Sequence, residues 1–239
     1  MVIPQNTTTD SATADIRYDG PVEVTSWAVA PVLAESTALD FLNTSLYSTG
    51  RQIDWLGSGA ALVDWLQQVQ LLSEQEALEV RRMARLEELD TVAAGARQLR
   101  DWFRSFVLRY HGQALTGDAL HDLAPINDLL RADALHLQIH VRPPPSDVGS
   151  TVSPLHGVWK RREISSGALM YVLGEAVAHA IASLSFANIK YCQGRNCSLV
   201  FLDKTSRLSR RWCSMATCGN RAKQASHRKK QQKNPPHAS

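Results

Sequence analysis

Four cysteines are the residues in this chain best suited to chemistry. They stand as Cys192-x4-Cys197-x15-Cys213-x4-Cys218, and the 239 residues contain no others. Two short loops, each presenting two thiolates, can surround one soft divalent cation tetrahedrally, as structural zinc sites do. A catalytic zinc keeps a position open for water, whereas four thiolates close the sphere. The expected cofactor is therefore one structural zinc ion on Cys192, Cys197, Cys213 and Cys218. A segment of about 30 residues is too small to build its own core, so metal would supply its folding free energy. The pairs are spaced wider than the familiar C-x2-C. Ordinary thiols, disulfides in one of three pairings and an iron–sulfur cluster remain as alternatives.

The same segment is strongly basic. Residues 190–239 hold 12 Lys and Arg against one acid, Asp203, a net +11; the remaining 14 basic and 22 acidic residues give residues 1–189 a net −8. The formal total of +3 hides this division. Zinc with four thiolates would bring the basic module to about +9. Such a surface attracts phosphate with strong salt dependence, and arginine suits bidentate contact with phosphate or guanine. The candidate nucleic-acid contacts are Arg195, Arg207, Arg210, Arg211, Asn220, Arg221, Lys223, Arg228, Lys229 and Lys230. Gly219-Asn220-Arg221 opens a short helix that would bring Asn220 and Arg221 nearest the bases. A cap role for Asn220 and a solvated tail for the charge run are the plainer alternatives. Trp212, beside a ligand, is expected to pack over the metal site.

The positioning elements are mostly helical. Leu62, Trp65, Leu66 and Val69 form one apolar helical face behind Ser58 as N-cap. Ser73 and Glu76 make a capping box for the next helix. Val92, Ala96, Leu99, Phe103, Phe106 and Tyr110 mark a long helix closing near Gly112. A further helix is expected over Gly117–Arg131. Leu135, Leu137, Ile139 and Val141 then alternate with polar residues as a strand, and Leu155–Arg162 returns as its partner. Gly167–Phe186 reads as a strongly apolar helix, and Leu199–Leu202 as a short strand. Val22, Val24 and Trp27 suggest a strand start, and residues 38–44 a short helix. The expected fold class is mainly α with a small antiparallel β element and a small C-terminal zinc-binding module. The expected division is a disordered lead-in over 1–20, a helical domain over 21–188, the zinc module over 189–224 and a disordered basic tail over 225–239.

The segment from Tyr191 to Lys223 resembles the CGNR zinc finger. The resemblance rests on Cys192, Cys197, Phe201-Leu202-Asp203, the run Arg210 to Met215 (RRWCSM), and Cys218-Gly219-Asn220-Arg221. In that family the finger follows an ABATE domain, described as a stress-induced transcription regulator. Residues 38–44 (ALDFLNT) resemble that domain's Leu-Asp-Phe-x-Asn-Thr signature. The resemblance implies four cysteine zinc ligands and DNA binding by the finger.

Function is bounded by what is missing as well. No apolar run approaches the ~20 residues of a membrane span, and the N-terminus lacks a secretory pattern; a bacterial, cytoplasmic protein with no membrane partner is expected. There is no phosphate loop, no H-E-x-x-H and no nucleophile–base pattern, so the chain is not expected to be an enzyme. His136, His140 and His156 read as solvent-facing strand positions. Asp40 and Asn43, three apart, could bind a polar ligand or belong to a buried hydrogen-bond network. The resulting expectation is a DNA-binding regulator whose acidic domain senses a small-molecule effector or forms a homodimer. An RNA-binding protein and an enzyme with its site in the helical domain are the alternatives.

Overall fold

The computed structural model describes residues 29–48, 51–133, 135–141, 155–161 and 165–233. The suggested strand at Val22–Trp27 and the lead-in lie outside them. A short helix, α1 (Thr37–Leu42), is followed by a hairpin of β1 (Ser45–Ser48) and β2 (Arg51–Asp54), then α2 (Gly59–Gln68) and α3 (Glu74–Met83). Both expected caps are present. Ser58 accepts from the Ala61 amide at 3.2 Å, and Ser73 and Glu76 cap each other reciprocally.

The central element is α4 (Leu86–Tyr110), 25 residues long, about 37 Å. It begins six residues before Val92, the first residue of the apolar series. Its buried face carries Leu89, Ala93, Ala96, Leu99, Phe103, Phe106 and Val107. α2 crosses it so closely that a Cβ on Gly59 would lie 2.2 Å from the Leu89 Cβ. After α4 the chain turns at Gly112, whose φ of +76° suits glycine.

The single helix expected over Gly117–Arg131 is two elements. A 3-10 segment covers Gly117–Leu123, and α5 (Ala124–Arg131) starts afresh. Pro125 explains the break, because it has no N–H to extend a helix and fits only a first turn. β3 (Leu135–Val141) and β4 (Leu155–Arg161) pair antiparallel as expected, with His140 opposite His156. α6 (Ala168–Ser183) packs on α5 and α4. It stops short of Phe186, which enters a 3-10 turn and meets the Phe106 ring edge-on at 5.6 Å.

The C-terminal part begins with β5 (Ile189–Tyr191) and β6 (Val200–Leu202), an antiparallel pair. A π-turn over Met215–Gly219 leads into α7 (Asn220–Lys233). The sequence places a disordered tail from residue 225; the helix instead continues to Lys233. Ala, Gln, Arg and Lys are good helix formers, and the first breakers are Pro235 and Pro236. Mainly helical with small antiparallel ribbons, the architecture matches the expected fold class. None of the described helices is long and apolar enough to cross a membrane.

Candidate metal centre and nucleic-acid surface

Each cysteine is carried by a different local device. Cys192 follows β5 directly. Cys197 sits after Asn196, which has a φ of 59°. Cys213 ends the loop that returns from β6. Cys218 lies in the π-turn, whose start is capped by Ser214 accepting from the Thr217 amide. All four sulfurs fall within 4.8 Å of one another, and Cys192, Cys213 and Cys218 are buried. Cys197 and Cys213 are 3.9 Å apart, Cys213 and Cys218 3.7 Å. A tetrahedron with zinc–sulfur bonds of about 2.3 Å has edges of about 3.8 Å, so the spacing fits zinc. It does not fit disulfides, and all four thiols are free.

The surroundings fit thiolates too. Cys192 Sγ accepts from the amides of Gly194 and Cys213, each at 3.3 Å, and Cys218 Sγ accepts from Arg221 Nη2 at 3.2 Å. A Cβ on Gly194 would lie 2.8 Å from Cys218 Sγ and 3.3 Å from Cys192 Sγ. Hydrogen bonding with Cys197 and then Cys213 holds the pKa of the Cys192 thiol down to about 7, while bonding with Cys192, then Cys213 and Cys218, pushes the Cys197 thiol up. Four thiols this close cannot all ionise alone. Zinc, when bound, allows all four to act as thiolates.

The finger is fastened to the helical domain along β6. Cys192 N donates to Leu199 O on the β5 side, so by antiparallel alternation Val200 and Leu202 turn their backbone groups outward. The domain meets both. Asn43 Nδ2 donates to Val200 O at 2.9 Å, Val200 N donates to Asn43 Oδ1 at 3.0 Å, and Leu202 N donates to Ala34 O at 3.0 Å. Asp40 Oδ1 accepts from the amides of Leu33 and Ala34, at 2.7 and 2.9 Å, and so holds the segment that supplies Ala34. Burial pushes the Asp40 carboxyl above its usual range, against those two hydrogen bonds. Asp40 and Asn43 are therefore together, as the sequence suggested, but inside the protein at 3% and 1% exposure. Their polar groups hold the finger rather than face a ligand.

Asp203, the only acid of the basic segment, organises the loop toward Cys213. It is fully buried and accepts from Lys190 Nζ at 2.7 Å, the Thr205 amide and hydroxyl, and the Arg210 amide. Burial alone would raise its pKa, but the bonds from Lys190, Thr205 and Arg210 outweigh it and hold the carboxyl well below the usual range. Its isolation among cations was a signal available in the sequence.

Arg210 departs from the expected nucleic-acid role. Its guanidinium lies 4.4 Å from the Phe201 ring centroid, pairs with Glu35 at 2.8 Å and donates to Cys213 O and Trp212 O. Packing on Phe201 and the bonds to Glu35, Cys213 O and Trp212 O hold this group against the protein. Arg211 donates to Gln193 and lies 5.1 Å from the Trp212 ring centroid while remaining exposed. Asn220 donates to Ala216 O, as a turn residue does. Arg195 is exposed. Arg207, Lys223 and Arg228 are exposed with no ion pair or hydrogen bond among the described residues. Lys229 and Lys230 occupy the following positions of α7.

Two protein-family models match the chain. The ABATE model, described as "Putative stress-induced transcription regulator", matches residues 35–185, and the CGNR zinc finger model matches residues 188–231. The chain belongs to the ABATE family and carries a CGNR zinc finger. None of the curated proteins matches it. Neither matching family is an enzyme family. Within this ABATE domain, a groove of about 520 Å³ is lined by Glu79, Val80, Met83, Ala84, Glu88, Ser165 and Ser166. It includes neither Asp40 nor Asn43.

The ABATE domain also holds an ion pair between a buried arginine and a half-buried aspartate. Arg100, 1% exposed, grips Asp54 through two bonds of 2.8 and 2.6 Å and donates to Thr44 Oγ1. Arg100 lies on the apolar face of α4 one position after Leu99, and a charge there was the available sign.

Proposed function

We propose that this protein is a DNA-binding transcription regulator in which the CGNR finger and α7 meet DNA. The acidic ABATE domain senses a signal or assembles the protein as a homodimer. The observation that carries the reading is the segregation of charge: the unpartnered cations Arg207, Lys223 and Arg228 lie on the finger and α7, while residues 1–189 are net −8. The acidic domain would be repelled by phosphate and the finger drawn to it. α7 has 14 residues, about 21 Å of helix, and a helix fits a major groove about 12 Å wide. Arg195, Arg211, Lys229 and Lys230 would add contacts around that helix. A small-molecule effector would have to use a surface other than Asp40 and Asn43.

The test is a fluorescence-anisotropy titration of zinc-loaded, full-length protein against duplex DNA and duplex RNA over a range of salt. Duplex DNA should bind more tightly at matched salt, with log K falling linearly against log salt. Replacing Arg207, Lys223 and Arg228 together by Ala should make that slope shallower by about 2–3. An unchanged slope would refute the proposed surface, and preference for RNA would favour an RNA-binding protein. Recovery of a shared sequence from random DNA would support a regulator.

A further inference from the structure

Arg221 is a basic residue of the finger whose guanidinium touches one of the four sulfurs. It is three residues beyond Cys218, in the first turn of α7, and its Nη2 donates to Cys218 Sγ at 3.2 Å. Backbone amides of Gly194 and Cys213 also donate to a sulfur, both to Cys192. Arg221 thus brings a cation into contact with the sulfur cluster. Cys218 itself is 3% exposed and Cys213 1%. A divalent ion with four thiolates leaves a net charge of −2 in this poorly solvated place. Buried charge is costly unless it is paired and hydrogen-bonded.

We propose that Arg221 is the counter-charge of the metal centre: its guanidinium holds Cys218 Sγ in the ligand set and lowers that sulfur's nucleophilicity. It acts on the metal through Cys218 and is a positioning residue. Partners of this kind typically change metal affinity by about 10–100-fold. The helix start contributes in the same direction, since positive partial charge at the N-terminus of α7 favours a thiolate nearby. Lys223, two positions on and exposed, has the same charge without a sulfur contact. This inference is independent of DNA binding.

The experiment compares full-length Arg221→Ala, Arg221→Lys and Lys223→Ala, all zinc-loaded. Zinc affinity is read by competition with a chromophoric chelator. Exposure to iodoacetamide then reports sulfur reactivity: the thiolate attacks the CH2 carbon, a C–S bond forms, and iodide leaves with the C–I bonding pair. Peptide masses identify the alkylated cysteine. Arg221→Ala should bind zinc about 10–100-fold more weakly, with Cys218 alkylated first. Arg221→Lys should recover part of the zinc affinity, and Lys223→Ala should match the wild type in zinc affinity and in the alkylation pattern. Wild-type affinity in Arg221→Ala would overturn the proposal, as would equal losses in Arg221→Ala and Lys223→Ala. If Arg221→Ala fails to fold, the comparison of Arg221→Lys with Lys223→Ala decides: only a loss confined to position 221 supports the contact.

Discussion

Replacing Asn43 with Ala tests the seam between the ABATE domain and the finger. The Asn43 side chain imitates one residue of a neighbouring strand, giving Val200 both an acceptor and a donor from 157 residues away. Asn43 and Val200 are each 1% exposed, so water cannot easily replace the lost partner. Alanine would leave one backbone N–H and one C=O unpaired, at about 1–3 kcal/mol each, or about 2–6 kcal/mol together. For a chain of this size that corresponds to a lower Tm by roughly 4–24 °C. The assay is thermal unfolding of zinc-loaded protein by far-ultraviolet circular dichroism, with bound zinc measured in parallel. Because β6 is held between β5 and α1, the ABATE domain and finger should unfold in one transition. Zinc chelation should lower the Tm of the ABATE domain too. A fall of less than about 2 °C in Asn43→Ala would show that these bonds do not secure the seam. Two separate transitions in the wild type, with the first alone sensitive to chelator, would refute the coupling.

Three further outcomes follow from contacts described above. Gly194→Ala should reduce zinc occupancy at matched chelator, because the new methyl would lie 2.8 Å from Cys218 Sγ; full occupancy by elemental analysis would contradict the close-packed centre. Arg210→Ala should lower Tm and zinc retention by loosening the Glu35, Phe201 and Cys213 contacts, while the salt slope of DNA binding stays as in wild type. Asp54→Asn should cost about 3–5 kcal/mol near neutral pH by leaving Arg100 buried without its carboxylate. Burial raises the Asp54 carboxyl, but hydrogen bonds from Arg100 and Leu56 outweigh it and the pKa lies below 3.8. The carboxylate's contribution is thus complete above the unfolded value of 3.8 and disappears as pH falls through the lower folded value. Urea unfolding of both proteins from pH 7 to pH 3 should show their difference narrowing below about pH 4, and a constant difference would exclude this origin.

The helices were legible wherever their cause is local. Ser58 caps α2 because its hydroxyl reaches an amide three residues away, and the spacing of apolar residues along α4 repeats its own pitch. The alternation in β3 likewise follows from the pleat. Pro125 carried enough information to break the helix expected over Gly117–Arg131, yet periodicity masked it. The hairpin β1–β2 escaped because strands of four residues are too short to establish a period.

Cysteine type and spacing, by themselves, marked Cys192, Cys197, Cys213 and Cys218 as a candidate metal site, and the charge division marked the C-terminal end as the basic one. Those properties belong to residues and to short stretches of chain. Tertiary structure alone decided what the polar residues do. Asn43 reads in sequence as one member of a short helix, but packing turns it into the strand partner of Val200. Arg210 counts as one more cation until Phe201, Glu35 and the Cys213 carbonyl surround it. Asp203 becomes the hub of the finger because four donors converge on it from separate stretches. A side chain's charge and hydrogen-bonding capacity are written in its identity, whereas its partner is set by which distant backbone groups folding leaves beside it and dry.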